Sequence, residues 1–203
     1  MSSALAIAAV TAVLKDILEN GLTHDAIATS IGDTLITAIP PDRISVGTDE
    51  RPQLNIFLYQ VSPNRNADWV GRDRIDVRPP SGHPPLALDL HYLLTAYGPK
   101  DFQSELLLGY ALQLLHEISV LNRDRVYTAL KHAASLSSFG VLSQALACVS
   151  IEDLADQIAP IKLCSEFFSM EETSKLWSSL QTPYRPSAGY QASMVLISKD
   201  TPK

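Results

Sequence analysis

Leu86-Ala87-Leu88-Asp89-Leu90-His91-Tyr92-Leu93-Leu94-Thr95-Ala96-Tyr97 is the stretch that decides the fold of this chain. Side chains alternate across a strand, so every second residue shares a face. Leu86, Leu88, Leu90, Tyr92 and Leu94 point one way, while Ala87, Asp89, His91, Leu93 and Thr95 point the other. No other segment carries so strong a strand signal. Gly98-Pro99 ends it, and Asp101 is placed to cap a helix from Phe102 to about Ile118. That helix is rich in leucine, with a narrow polar stripe through Glu105, Gln113, His116 and Glu117. Gly109 lies on the stripe, where a missing side chain lets another backbone come close.

Working upstream, residues 62–85 break the pattern: five of the 13 prolines fall there, with Gly71 and Gly82. A connection this long is unusual inside a compact domain and tends to be functional or disordered. Before it, Leu54 to Val61 reads as a strand apolar on both faces, with Leu54, Ile56 and Leu58 on one and Phe57, Tyr59 and Val61 on the other. Such a strand is expected inside a sheet covered on both sides. Leu35 to Ile39 forms a short strand that stops at Pro40-Pro41. Residues 2–20 predict a helix with Gly21 as its C-terminal stop. Its apolar residues cover more than one face, so burial is expected, either in its own core or against a neighbouring subunit.

Downstream, a second helix is predicted from Arg125 to Ala133. Ser150 with Asp153 caps a helix to Ile158, Ile161 to Cys164 forms a short strand, and Ser169 with Glu172 caps a helix through Trp177 to Leu180. Tyr190 to Ser198 is the last strand. Strands and helices interleave, which predicts an α/β fold: one domain over 1–203, a mixed sheet flanked by helices, and a long arm at 62–85.

Composition limits the function. Hydrophobic residues at 46% and charged residues at 19% suit a folded globular chain. A net charge of -6 gives no general attraction to nucleic acid or anionic membrane. The apolar run from Ala4 meets Lys15 and Asp16 too soon to span a bilayer, and Met1-Ser2-Ser3 lacks the basic residues of a secretory signal. Cys148 and Cys164 form no Cys-x-x-Cys pair and are expected to be isolated buried thiols.

Little in the sequence points to catalysis. Glycine-rich phosphate loops and the Gly-x-Ser-x-Gly elbow are missing, and the five histidines show no ligand spacing. No cofactor and no metal are expected. Asp89 and His91 share one face of the strand and are within reach of each other, so a hydrolase built on them is one alternative. The other expectation is a polar pair satisfied under a helix or at a subunit boundary. Within 62–85, Arg65, Arg72, Arg74 and Arg78 stand beside three aspartates and Trp69. Tryptophan and arginine are enriched among interface hot spots, so these five are the candidate protein-interface residues. The stretch is expected to act as an assembly arm that takes its fixed form on contact with a partner.

Several runs resemble one family. They are Arg51 to Val61 with Pro63-Asn64, Pro84 to Gly98, Leu107-Leu108-Gly109-Tyr110-Ala111 with Leu114-Leu115-His116-Glu117, and Lys175-Leu176-Trp177 with Tyr184-Arg185-Pro186-Ser187-Ala188. Together they are similar to the N-terminal domain of cap proteins of extracellular contractile injection systems, relatives of phage tail terminators. The resemblance implies a structural protein and not an enzyme. It implies a hexameric ring on the last layer of inner tube and sheath, which stops polymerisation. Inner tube and sheath proteins are then the partners, with the tape-measure protein a further candidate. Assembly would take place in the cytoplasm, into a particle either released or membrane-anchored. A monomeric adaptor that binds another protein is the alternative that composition leaves open.

Overall fold

In the computed structural model, which describes residues 5–24, 31–47, 50–64, 86–136 and 140–197, the run from Leu86 to Tyr97 is one unbroken strand. The elements in chain order are α1 (Ala6–His24), β1 (Leu35–Thr37), β2 (Gln53–Pro63), β3 (Leu86–Tyr97), α2 (Gln103–Glu117), β4 (Val120–Leu121), α3 (Arg123–Leu136), α4 (Val141–Leu146), α5 (Ile151–Ile158), β5 (Ile161–Glu166), α6 (Met170–Ser179) and β6 (Ser187–Ile197). The six strands make one sheet in the order β1-β2-β3-β6-β5-β4. Only β1 and β2 run parallel, and every other neighbouring pair is antiparallel. The fold is therefore a mixed α/β domain, as the interleaving of elements predicts.

The main core lies on the face of β3 that carries Leu88, Leu90, Tyr92 and Leu94, all buried. Leu54 and Ile56 of β2 and Ala192 of β6 extend it sideways. Helices α1, α2, α3 and α5 close over it. Ala6, Ala9, Val10, Val13 and Leu18 of α1 are fully buried there, so α1 docks on its own core rather than on a neighbour. The hydroxyl of Tyr92 sits 2.9 Å from Thr11 Oγ1, which satisfies a polar tip inside an apolar layer.

Gly21 does not stop α1, which continues to His24. Its role is close approach: a Cβ at position 21 would lie 2.3 Å from Leu114 Cδ2 of α2. Gly109 shows the reverse, since a Cβ there would meet nothing within 4 Å among the described residues. Asp101 does not cap α2. Phe102 takes the cap position in the left-handed region (φ 63°), and the helix starts at Gln103. The buried Gln103 side chain then donates from Nε2 to the carbonyl of Ile31 at 2.8 Å. Of the two later caps, each expected as a capping box, only the second closes in both directions. Ser150 accepts from the amide of Asp153, and Ser169 with Glu172 forms a complete reciprocal box.

The second face of the sheet is covered only in part. Antiparallel partners share a face, so Leu93, Thr95 and Tyr97 lie beside Phe57, Asn55 and Gln53. Trp177 of α6 seals this half and donates from Nε1 to Ser187 Oγ at 3.3 Å. Glu50 and Arg185 bridge at 3.0 Å beside it, and the guanidinium lies 5.6 Å from the Tyr97 ring. Coverage of β2 ends early: Leu54 and Ile56 are buried, but Val61 is 43% exposed. Burial on both sides, expected for Leu54 to Val61, therefore holds only for the first half of the strand. The cysteines are not buried either. Cys164 faces the uncovered part of the sheet and Cys148 sits in the turn after α4, both as exposed free thiols.

Candidate functional site

The uncovered half of the second face is polar, and the sheet register builds it. Ser62 pairs with Asp89, Gln60 with His91, His91 with Gln191, Gln191 with Cys164, and Gly189 with Glu166. Paired residues share a face. Two irregularities aim particular side chains. A register shift between Leu58 and Gln60 leaves Tyr59 without a β3 partner, and one between Leu88 and Leu90 leaves Asp89 without a β6 partner. Bulges re-aim side chains in this way.

Asp89 and His91 do not form the expected couple. Closer partners across the ladder take each of them. Asp89 Oδ1 accepts from Asn64 Nδ2 at 2.7 Å. His91 Nε2 lies 2.7 Å from Ser62 Oγ, and His91 Nδ1 lies 3.0 Å and 3.2 Å from the two carboxylate oxygens of Glu166. Tyr59 also donates to Glu166 Oε2, at 3.0 Å. Burial, then the hydrogen bond and charge of Glu166, raise the Tyr59 pKa well above its ordinary value, so the phenol keeps its proton and donates.

The tautomer of His91 sets the direction of each hydrogen bond in this chain. An ionised carboxylate only accepts, so His91 Nδ1 carries its hydrogen toward Glu166. In the neutral ring Nε2 is then an acceptor, and the Ser62 hydroxyl donates to it. The resulting chain is serine to histidine to glutamate, with a tyrosine steadying the last member. Gly189 lets Glu166 sit there. A Cβ at 189 would come within 2.7 Å of the Glu166 carbonyl oxygen and of the Phe168 ring, which itself stacks edge-on against Tyr59.

The candidate interface residues Arg65, Trp69, Arg72, Arg74 and Arg78 lie outside the described residues. Their attachment is described: the amide of Asn64 donates to the carbonyl of Ala87 at 2.9 Å, so the segment 65–85 leaves and rejoins the sheet at adjacent strand ends. The polar cluster lies next to that junction. At the far end of β5, Phe167 (91% exposed), Met170 (81%) and Tyr184 (57%) line one shared cleft of about 430 Å³. Among the described residues no group of histidine, cysteine and carboxylate could hold a metal ion, and no helix is long and apolar enough to cross a membrane.

The family model described as the Pvc16 N-terminal domain matches residues 9–203, which takes in all the strands and the segment 65–85. This chain belongs to that family. The resemblance carried by Arg51 to Val61 and Pro84 to Gly98 is thus to the same group of proteins. Among solved structures, the Pvc16-type domain here is similar to the PVC sheath/tube terminator of an extracellular contractile injection system, seen by cryo-EM in its extended state. The two are 15% identical, with a TM-score of 0.45, and the match covers 95% of this chain. It covers 57% of the terminator, so this chain spans little more than half the length of that protein. No curated protein matches the chain by sequence.

Proposed function

We propose that this chain is a structural end-cap of a contractile injection system, one that binds the last layer of tube and sheath and stops their growth. Membership of the Pvc16 N-terminal domain family over residues 9–203 is the observation that carries this reading. The fold suits the role. A growing tube presents a repeating end, and a cap must match it on one face without offering the same match on the other. Closed rings use heterologous contacts of this kind, one patch against a different patch on the next copy. The role needs a rigid, self-contained core and no turnover, and α1 is spent on that core. Apolar side chains as open as Phe167 and Met170 then have no internal duty, as is usual for contact surfaces.

The assembly is a ring of six copies in contact with tube and sheath proteins, with the tape-measure protein a further contact. It forms in the cytoplasm and becomes part of the particle. Deleting the gene is expected to give particles of uncontrolled length or unstable sheaths, measured by electron microscopy. Particles of normal, uniform length in the deletion strain would refute the reading. Native mass measurement with tube ends present separates a ring from a monomeric adaptor.

Of the arm expected over 62–85, Ser62 and Pro63 belong to β2, and the remainder is the arm of this assembly, with Trp69 as its apolar anchor and Arg65, Arg72, Arg74 and Arg78 pairing with carboxylates of a neighbour. Burying a tryptophan removes roughly 200 Å² from water, an upper estimate of about 5 kcal/mol before ordering costs. Trp69→Ala is expected to leave thermal unfolding of the isolated chain unchanged within about 0.5 kcal/mol while impairing capping. Loss of several kcal/mol in the isolated chain would place Trp69 in the core and end the arm reading.

A further inference from the structure

Nothing in the capping role uses the serine, histidine and glutamate that meet on the open half of the sheet. Their arrangement meets the two geometric tests of an activated nucleophile. The hydroxyl is within hydrogen-bond reach of a base, at 2.7 Å, and a third group at 3.0 Å orients that base. The base is the more sheltered of the two groups behind the hydroxyl. Ser62 is half-buried at the surface, whereas the His91 side chain below it is only 12% exposed and Glu166 is 30% exposed. A sheltered imidazole held by a carboxylate through Nδ1 keeps its Nε2 lone pair aimed at one hydroxyl.

We propose that Ser62 is an activated nucleophile that accepts an acyl group from a small activated ester, with His91 as its general base. Glu166 is a positioning residue that fixes the tautomer, and Tyr59 positions Glu166. In the step, the bond from Ser62 Oγ to the acyl carbon forms and the bond from that carbon to the leaving oxygen breaks. The Ser62 proton passes to His91 Nε2 and then to the leaving oxygen, so the products are an acyl-serine and an alcohol. General-base help of this kind is worth about 10²- to 10⁴-fold. The site is independent of the capping reading, because it rests on hydrogen bonds within one chain.

A fluorophosphonate probe tests the proposal on the full chain. Here the Oγ–P bond forms, the P–F bond breaks, and the proton leaves with fluoride through His91. Peptide mapping by mass spectrometry compares Ser62 with Ser174, an exposed serine of α6 in the same molecule. Ser62 is expected to react at least about 100-fold faster than Ser174, and faster at about pH 8 than at about pH 5, where imidazoles are protonated. Glu166→Gln is expected to lower the Ser62 rate about 10-fold or more and to flatten its pH dependence, with far-UV circular dichroism unchanged. Ser62→Ala removes the label from that peptide. Equal rates at Ser62 and Ser174 in the unmodified chain would overturn the proposal, whatever the variants do. So would a Glu166→Gln chain that is folded and reacts as fast as the parent.

Discussion

Trp177→Ala is expected to cost about 3–5 kcal/mol of folding stability, the range for emptying a buried tryptophan site. The reason is the way α6 is attached. Its ten residues begin with a complete capping box, yet Trp177 is its one buried side chain. Trp177 is 3% exposed, stacks edge-on against Tyr184 with centroids 5.7 Å apart, and donates to Ser187. Exposed neighbours such as Glu171 and Lys175 pair along the helix, so they hold the helix and not the docking. For a chain of this size the loss corresponds to a fall in Tm of roughly 6–20 °C in a thermal melt. Trp177→Phe keeps most of the packing and loses the hydrogen bond, and Ser187→Ala isolates that bond at about 1 kcal/mol or less. If Trp177→Ala shifts the melt by less than about 1 kcal/mol, α6 is not docked through this residue.

Trp177 also shows what could be read in advance. The Ser169–Glu172 box is a local pattern, and the structure forms it residue by residue. The strand Leu86–Tyr97 is legible from end to end because period-2 alternation and a Gly-Pro stop are both local signals. Gly21 misleads for a physical reason: a glycine gives the same letter whether it ends a helix or lets a second helix approach, and only α2 packing with Leu114 decides. Phe102 as a left-handed cap position goes against preference and is invisible in the sequence. The polar cluster is harder still. Ser62, His91 and Glu166 come from three strands, with 75 positions between the histidine and the glutamate. Their meeting depends on register, and register depends on irregularities at Leu58/Gln60 and Leu88/Leu90 that alternation alone does not announce. His91 was visible as a polar residue on an apolar strand. Its partners were not, and the nearest carboxylate in sequence, Asp89, is bound to Asn64 instead.

Asn55→Ala is expected to cost about 2–4 kcal/mol, although it removes no apolar surface of note. Asn55 is fully buried in β2, at the point where β1 ends. Pro40-Pro41 follow shortly, and proline has no amide to continue a ladder. The Asn55 side chain substitutes for the missing rungs. Its Oδ1 accepts from Thr37 Oγ1 at 2.8 Å and from the Ile39 amide at 3.1 Å, and its Nδ2 donates to the Ile39 carbonyl at 3.0 Å. Gln53 extends the chain by donating to Thr37 Oγ1 at 2.7 Å. Alanine would take these partners from the Ile39 amide and carbonyl and the acceptor from the Thr37 hydroxyl, which keeps its contact with Gln53, at about 1–3 kcal/mol for each group that water cannot reach. Thr37 and Ile39 are half-buried, so part of the loss is recovered by solvent. Asn55→Asp separates hydrogen bonding from size. It keeps both acceptor contacts but sets a carboxylate oxygen against the Ile39 carbonyl, and it buries a charge. Its cost is expected to equal or exceed that of alanine. The network itself is tested by a double-mutant cycle of Asn55→Ala with Thr37→Val in urea unfolding. Groups that share one network are expected to be non-additive by about 1 kcal/mol or more. Additivity within about 0.5 kcal/mol would mean that Asn55 and Thr37 act separately, and the side chain would then be filling space rather than closing the sheet edge.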